Sequence, residues 1–236
     1  MALLELQGVE TFYGPSQVLF GVDISIGHGE VVTLMGRNGM GKTTTVRSIM
    51  GLTPARSGTL RFGDHDIKAW PSHRIAQLGI GYVPEGRQVF PNLTVRENLE
   101  ATGANRLNVE NPWTAKRVMG IFPRLAEREG QYARTLSGGE QQMLAIGRAL
   151  ATNPSFMILD EATEGLAPII RDEIWSVLEH DLKDSGQAIL VIDKHPRAMA
   201  QIADRHLVME KGRIVWSGTS AQLLADEAMQ HHFLGV

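Results

Sequence analysis

The feature that most constrains this chain is a glycine-rich run at residues 36–43, which reads Gly-Arg-Asn-Gly-Met-Gly-Lys-Thr. It matches G-x-x-x-x-G-K-[ST], a loop whose backbone N–H groups surround a phosphate. The apolar stretch at residues 31–35 predicts a buried strand before it, and residues 44–50 can continue as a helix that Gly51 ends. Strand, glycine loop and helix in this order are the context that the motif requires, so we expect a phosphate-binding loop.

The chemistry of this loop is divided among its residues. Glycines let the backbone curl so that its N–H groups face a phosphate, and the start of the helix adds its positive dipole end. Lys42 is expected to place a positive charge against the β- and γ-phosphates, and the hydroxyl of Thr43 to bind Mg²⁺. The residues expected to contact the nucleotide are Gly36, Arg37, Asn38, Gly39, Met40, Gly41, Lys42, Thr43 and Thr44.

Length and composition limit the other functions that this chain can have. At 236 residues it can bury a real core as one α/β domain, with or without an inserted subdomain. A net charge of −3, from 23 basic and 26 acidic residues, gives no support for a nucleic-acid partner. Without cysteine, disulfides and thiolate metal sites are excluded. We expect no signal peptide, and no apolar run approaches the ~20 residues of a spanning helix.

Alternating and continuous apolar stretches predict the strands of an α/β core. Residues 3–9 and 18–26 are expected as strands, joined by a turn that presents Tyr13. The second strand is expected to place one set of apolar residues on a single face, namely Val18, Phe20, Val22, Ile24 and Ile26. Buried strands are predicted at residues 80–83, 156–159 and 188–192.

Between about residues 90 and 153 the pattern becomes helical. Capping boxes, in which a side-chain oxygen and a glutamate three residues later satisfy helix N–H groups, are predicted at Thr94 and at Ser137. Another helix is expected to begin at Asn111 and Pro112 and to run towards Phe122. We therefore predict that a helical segment is inserted into the α/β domain.

Two acidic residues, Asp160 and Glu161, follow the predicted strand at residues 156–159. Ligands of parallel α/β sheets bind at the carboxyl ends of the strands. Two acids after an apolar strand are by themselves more often helix-capping or solvated than catalytic. Together with the phosphate loop, however, they are expected to act on the nucleotide, with Asp160 holding Mg²⁺ and Glu161 orienting and deprotonating the attacking water.

The stretch at residues 136–142, Leu-Ser-Gly-Gly-Glu-Gln-Gln, indicates a family. A capping box needs only Ser137 and Glu140, whereas Gly138, Gly139, Gln141 and Gln142 resemble the signature motif of ATP-binding-cassette (ABC) proteins. Phosphate loop, signature and Asp-Glu strand stand in that family's order, and the resemblance covers essentially the whole chain. It implies an α/β fold of the P-loop NTPase class, as one ABC domain over residues 1–236. That domain has a RecA-like, mainly parallel sheet core, an N-terminal antiparallel β-subdomain and a helical subdomain at about residues 90–153.

The resemblance also implies a mechanism. In ABC dimers the signature helix caps the γ-phosphate bound to the other subunit's phosphate loop, so two ATP molecules join two subunits and hydrolysis releases them. This contact falls on Ser137, Gly138, Gly139 and Gln141. Tyr13 matches the family's aromatic residue that stacks on adenine, although a turn aromatic that seals the edge of the core is the alternative. The implied partner is a second ABC subunit, identical or not.

Within the family, the chain resembles the ATP-binding subunits of branched-chain amino-acid importers. Residues 82–95, 164–168 and 233–235 carry this resemblance. Most ABC proteins have Gln where Glu85 stands, contacting Mg²⁺ and linking the site to the permease, and an anionic residue can bind the metal more strongly. Most also have Asp where Ala167 stands, so the role of that carboxylate is not carried over.

A transport ATPase of this type is expected at the cytoplasmic face of the inner membrane, held there by permease subunits and served indirectly by a substrate-binding protein. Importers of urea or short amides share much of the pattern and remain open. A soluble ABC ATPase that remodels a cytosolic complex is a further alternative, although such proteins usually carry two cassettes or special insertions. A phosphate-loop kinase or GTPase leaves residues 136–142 unexplained.

The position that senses the γ-phosphate has two candidates. The family's switch histidine, or the Gln often found in this branch, aligns with Lys194, which comes second after the predicted strand at residues 188–192. His195 follows one residue later. Either Lys194 senses the phosphate, or His195 takes that role through a one-residue shift.

Overall fold

A computed structural model describes residues 2–193 and 195–234. The elements in chain order are β1 (Ala2–Tyr13), β2 (Ser16–Gly27), β3 (Val31–Met35), α1 (Lys42–Ile49), β4 (Ser57–Phe62), β5 (His65–Asp66), α2 (Ser72–Gln77), β6 (Ile80–Val83), α3 (Val95–Thr102), α4 (Ala115–Ile121), α5 (Pro123–Ala126), α6 (Gly138–Leu150), β7 (Phe156–Asp160), α7 (Pro168–Ser176), β8 (Ala188–Ile192), α8 (Pro196–Ile202), β9 (Arg205–Glu210), β10 (Arg213–Gly218), α9 (Ser220–Ala225) and α10 (Glu227–Met229). Helical turns of the π type continue α7 over Val177–Lys183 and α10 over Gln230–Leu234. Within the described residues, no helix combines the length and the hydropathy needed to cross a bilayer.

The chain forms two compact units. The first contains Met1–Leu78 and Gly186–Val236, and the second contains Gly79–Ser185. The helices α3, α4, α5 and α6 all belong to the second unit. The second unit begins and ends at residues other than those of the predicted helical insertion at about residues 90–153. That insertion therefore stays a prediction.

An antiparallel sheet with the order β2-β1-β4-β5 lies in the first unit. The prediction that Val18, Phe20, Val22, Ile24 and Ile26 share one face of β2 is wrong in its first half, since Leu19 is fully buried and Val18 and Phe20 are half-buried. Gly21 has φ +76°, and the register with β1 shifts beside it. A β-bulge at Gly21 therefore moves the alternation by one residue.

The first unit also contains parallel strands that carry the phosphate loop. β3 pairs in parallel with β8 and with β9, and β10 runs antiparallel on β9. Every residue of β3 and of β8 is buried. Strands covered on both faces read as continuous apolar runs, which is why the sequence predicts them without alternation. The loop at residues 36–41 leaves β3 at its carboxyl end and enters α1.

The second unit contains the parallel pair β6 and β7 and the helices around it. The capping box at Thr94 is confirmed, since its hydroxyl accepts from the Glu97 N–H at 3.2 Å and the Glu97 carboxylate accepts from the Thr94 N–H at 2.7 Å. The predicted helix start at Asn111 and Pro112 is wrong. α4 begins at Ala115, because the side chain of Thr114 accepts from the Arg117 N–H and caps the helix there.

Candidate nucleotide-binding site

The phosphate loop depends on glycines where the backbone passes close to its neighbours. Gly36 has φ +144°, and a Cβ there would overlap the carbonyl oxygen of Met209. Gly41 has φ +108° at the start of α1, and a Cβ there would lie 3.0 Å from Leu19 and 3.2 Å from the Met209 sulfur. Gly39, with φ +78°, borders open space. The loop therefore has a tightly packed base and an open outer edge.

Lys42 is the buried cation of this loop, with a relative exposure of 5%. Its Nζ donates to the carbonyl oxygens of Gly36 at 2.9 Å and Arg37 at 3.2 Å. A buried ammonium requires such acceptors. Lys42 is also the first residue of α1, so the positive end of the helix dipole lies at the same loop. The loop thereby gathers the positive potential that a polyphosphate needs.

Arg37 and Met40 also contact the C-terminal part of the chain. Arg37 Nη2 donates to the carbonyl oxygen of His231 at 3.3 Å, and the carbonyl oxygen of Met40 accepts from the Gly212 N–H at 2.9 Å. A cavity of about 340 Å³ lies here, lined by Arg37, Met40, Met209, Glu210, Lys211, His231, His232 and Phe233. The predicted contact of Arg37 and Met40 with nucleotide stays a prediction, as does that of the exposed Asn38.

Tyr13 ends β1 with 44% of its surface exposed. Burial of its hydroxyl raises the pKa, but hydrogen bonds with Thr44 and Thr53 and the charge of Arg47 outweigh this effect and leave the pKa below its usual value. Tyr13 thus meets Thr44 in the first turn of α1, whereas Thr43 precedes it as a half-buried residue. The ring is exposed beside the loop, and its stacking on adenine stays a prediction.

Three predicted carboxylates belong to the second unit. Val83 of β6 pairs with Leu159 of β7, so Glu85 and Glu161 each stand two residues beyond this pair, at the same end of the two strands. Asp160 is fully buried and Glu85 is exposed. Glu161 has φ +52°, a left-handed backbone that is uncommon outside glycine and concentrates at functional sites.

The three predicted metal ligands have the donor chemistry that Mg²⁺ requires, and their binding of the ion stays a prediction. Mg²⁺ is usually held by one or two carboxylates, substrate phosphates and waters rather than by a cage of protein ligands. Among residues 2–193 and 195–234, no three histidine, aspartate or glutamate side chains form a group that could hold a metal ion alone. The donors Thr43, Glu85 and Asp160 supply hydroxyl and carboxylate oxygen, the ligand type that Mg²⁺ prefers.

Ser137 caps the signature helix α6. Its hydroxyl accepts from the Glu140 N–H at 3.4 Å, and the Glu140 carboxylate accepts from the Ser137 N–H at 2.8 Å. Arg128 forms an ion pair with Glu140 at 2.6 Å, and Gln141 Nε2 donates to the Ala133 carbonyl oxygen at 3.1 Å. The predicted capping box is confirmed, and Gln141 is held within its own subunit.

The two signature glycines make room for side chains that sequence reasoning did not place here. A Cβ at Gly138 would overlap the guanidinium of Arg87, and a Cβ at Gly139 would lie 2.6 Å from Cγ2 of Ile170 in α7. Arg87 and Ile170 are far from the signature along the chain, so no local sequence pattern reveals these contacts.

The structure describes the residues on both sides of Lys194. Lys194 itself lies outside the described residues. His195 Nδ1 lies 2.6 Å from Asp193 Oδ1, with the aspartate side chain 3% and the histidine side chain 40% exposed. The buried carboxylate orients an imidazole whose other edge is accessible. His195 precedes Pro196, the first residue of α8.

The model of the ABC transporter family matches residues 19–164, which contain the phosphate loop, the signature and the Asp-Glu pair. The chain belongs to the ABC transporter family. The recognition of this family from the sequence, and the P-loop NTPase fold of mixed α/β structure that it implied, are both confirmed.

Individual ABC proteins match almost end to end. The high-affinity branched-chain amino-acid transport ATP-binding protein BraG of Pseudomonas aeruginosa is 41% identical over 99% of this chain and 100% of its own length. The lipopolysaccharide export system ATP-binding protein LptB of Escherichia coli K12 is 33% identical over 100% of this chain and 98% of its own. The ADP conformation of MJ1267, an ATP-binding cassette of an ABC transporter, superposes with a TM-score of 0.81 at 28% identity, covering 96% of this chain and 94% of that chain.

Membership in the ABC transporter family defines the general activity of this chain. It is a nucleotide-binding ATPase subunit of the transporter type, as the sequence predicted. ABC cassettes work as dimers with membrane permease subunits. BraG is named for branched-chain amino-acid transport and LptB for lipopolysaccharide export, so family membership alone leaves the cargo and the direction of transport open.

Proposed function

We propose that this chain is the ATP-hydrolysing subunit of an importer of branched-chain or related amino acids. The observation that carries the proposal is the 41% identity to BraG across 99% of the chain. The stretches at residues 82–95 and 164–168, which resemble this branch of the family, support it. The protein would work at the cytoplasmic face of the inner membrane, with two cassettes docked on permease subunits and a substrate-binding protein outside.

The phosphate loop would bind ATP through complementary charge. Lys42 already lies at the loop carbonyls of Gly36 and Arg37, so its ammonium needs only a short rearrangement to reach the β- and γ-phosphates. The α1 dipole adds to this attraction. Tyr13, exposed beside Thr44, would stack on the adenine ring.

Hydrolysis would depend on the carboxylates that follow β6 and β7. Glu161 would accept a proton from the attacking water and hold that water in line with the γ-phosphate. Mg²⁺, which Thr43, Glu85 and Asp160 would hold, neutralises charge on the phosphates when it is bound. The left-handed backbone of Glu161 sets the direction in which its side chain leaves the strand end.

Dimer formation would follow from the signature helix. Ser137 and the N–H of Gly139 lie at the N-terminus of α6, which attracts anions. They would cap the γ-phosphate on a second cassette, so ATP joins two subunits until it is hydrolysed. Lys194 would sense the γ-phosphate. The Asp193–His195 hydrogen bond supports the other reading, in which His195 has this role.

Lipopolysaccharide-type export is the second candidate, because LptB is 33% identical over the whole chain. A test in the source organism separates the two. The chromosomal gene is replaced by its Glu161→Gln form, and uptake of labelled leucine, isoleucine, valine and urea is measured. We expect uptake of the branched-chain amino acids to fall to background and urea uptake to stay unchanged. Loss of urea uptake alone, or loss of lipopolysaccharide export with normal uptake, would overturn the proposed cargo.

A further inference from the structure

We propose that Arg87 is an additional phosphate-binding residue of the signature site, reaching the γ-phosphate of ATP held by a second copy of this chain. The inference rests on the proposed role of the α6 N-terminus. It adds a residue to which no phosphate role had been assigned. Arg87 and all the residues around it in this argument lie in the second unit.

The guanidinium of Arg87 covers the first residue of α6. A Cβ built on Gly138 would overlap Nη1 and would lie 2.7 Å from Cζ and 3.3 Å from Nη2. A Cβ on Gly165, in the turn before α7, would lie 3.9 Å from Nη2. The guanidinium is therefore in contact with the glycine beside Ser137, and it lies between the signature and the turn that follows Glu161.

This guanidinium has no protein acceptor in the part of the chain that the structure describes, where Arg87 makes neither a hydrogen bond nor an ion pair. The nearby Arg128 differs, since it pairs with Glu140. Glu140 is in turn engaged by the Ser137 N–H. The carboxylate of the capping box is thus already used, and the five N–H donors of Arg87 remain available to a ligand.

The helix dipole gives no electrostatic reason for this placement. A cation at the N-terminus of a 13-residue helix faces the positive end of the helix dipole, which is unfavourable. The fold gains nothing electrostatic from Arg87 at Gly138. An anion bound there would be attracted both by the helix end and by the guanidinium, whose planar fork matches phosphate oxygens. Gly138 is needed because any side chain would displace the guanidinium.

The test uses ATP-driven dimerisation. In a Glu161→Gln parent, the ATP concentration that gives half-maximal dimer is measured by size-exclusion chromatography with light scattering. We expect Arg87→Gln to raise this concentration about tenfold or more, because a charged hydrogen bond to phosphate is lost. Arg87→Lys should recover part of the loss. Arg106→Gln, which removes an exposed arginine from the same unit, should have no effect.

A second variant guards against a folding defect. Gly138→Ala keeps the charge of Arg87 but moves the guanidinium, and the far end of a flexible side chain moves at little cost. If Arg87 acts on the phosphate, Gly138→Ala and Arg87→Gln should not add in the double variant. Affinity of the dilute monomer for a fluorescent ATP analogue should be unchanged in all of them, because the cis phosphate loop is intact.

The outcomes separate the inference from the function on which it rests. A Glu161→Gln parent that stays monomeric in ATP overturns the proposed function and, with it, this role of Arg87. A parent that dimerises while Arg87→Gln dimerises at the same ATP concentration overturns the inference alone. Weaker ATP binding by the Arg87→Gln monomer would also overturn it, since the contact would then lie in cis.

Discussion

The imidazole of His206 joins β9 to β3 and to the start of α9. Its Nδ1 lies 2.7 Å from the Thr33 hydroxyl and its Nε2 lies 3.0 Å from the Ser220 hydroxyl. His206 is fully buried, and burial lowers its pKa from 6.5 to about 4. A neutral histidine therefore links the strand that leads into the phosphate loop to its neighbours.

The lowered pKa of His206 predicts that the protein loses stability in mild acid. Since the folded pKa of His206 is depressed, its contribution is fully present above pH 6.5 and is lost as the pH falls towards 4, on the order of 3 kcal/mol in all. Urea unfolding at pH 7 and pH 5 measures the effect. His206→Gln should flatten this pH dependence, whereas the exposed control His28→Gln should keep it. An equal slope in His206→Gln would show that other groups cause it.

We expect the substitution of Glu161 by glycine to change stability and activity in opposite directions. Glu161→Gly removes the left-handed strain at φ +52° and should stabilise the fold by about 1 kcal/mol while abolishing ATP hydrolysis. Glu161→Gln should abolish hydrolysis without this gain, because the backbone still carries a side chain. Chemical denaturation and phosphate release measure the two properties. A Glu161→Gly protein that hydrolyses ATP normally would remove Glu161 as the base.

Ser137 has a capping role that can be separated from a role in trans. Ser137→Ala should cost about 1 kcal/mol of stability, because the Glu140 N–H loses its acceptor. Ser137→Arg fills the space meant for the partner's γ-phosphate and should block hydrolysis, with ATP binding to a single subunit retained. If Ser137→Arg loses hydrolysis only in proportion to its loss of folded protein, the serine acts as a cap alone.

The switch position can be resolved by substitution. If Lys194 senses the γ-phosphate, Lys194→Ala should slow turnover strongly and His195→Ala mildly. If His195 is the sensor, the severity of the two variants is reversed. Steady-state ATPase assays of both variants distinguish the two.

The sequence predicted well those features that depend on residues close together along the chain. The starts of α3 and α6 follow from Thr94 and Ser137, because a capping box is decided within four residues. The buried strands β3, β7 and β8 follow from apolar runs bounded by polar residues.

What the sequence missed depends on neighbours that are distant along the chain. The bulge at Gly21 is defined by the register with β1, and alternation along β2 alone cannot locate it. The contact of Arg87 with Gly138 arises only when the loop after β6 meets α6. Neither the bulge nor this contact produces a periodic pattern in the sequence.

The left-handed backbone at Glu161 has a consequence for anyone who evolves this protein in the laboratory. Glutamate and glycine codons differ by a single base, so one transition converts the strained acid into the residue that tolerates the turn best. Selection for yield or heat resistance, without selection for turnover, will enrich that change. Libraries of this chain screened only for thermal survival should therefore accumulate well-behaved, inactive clones at residue 161.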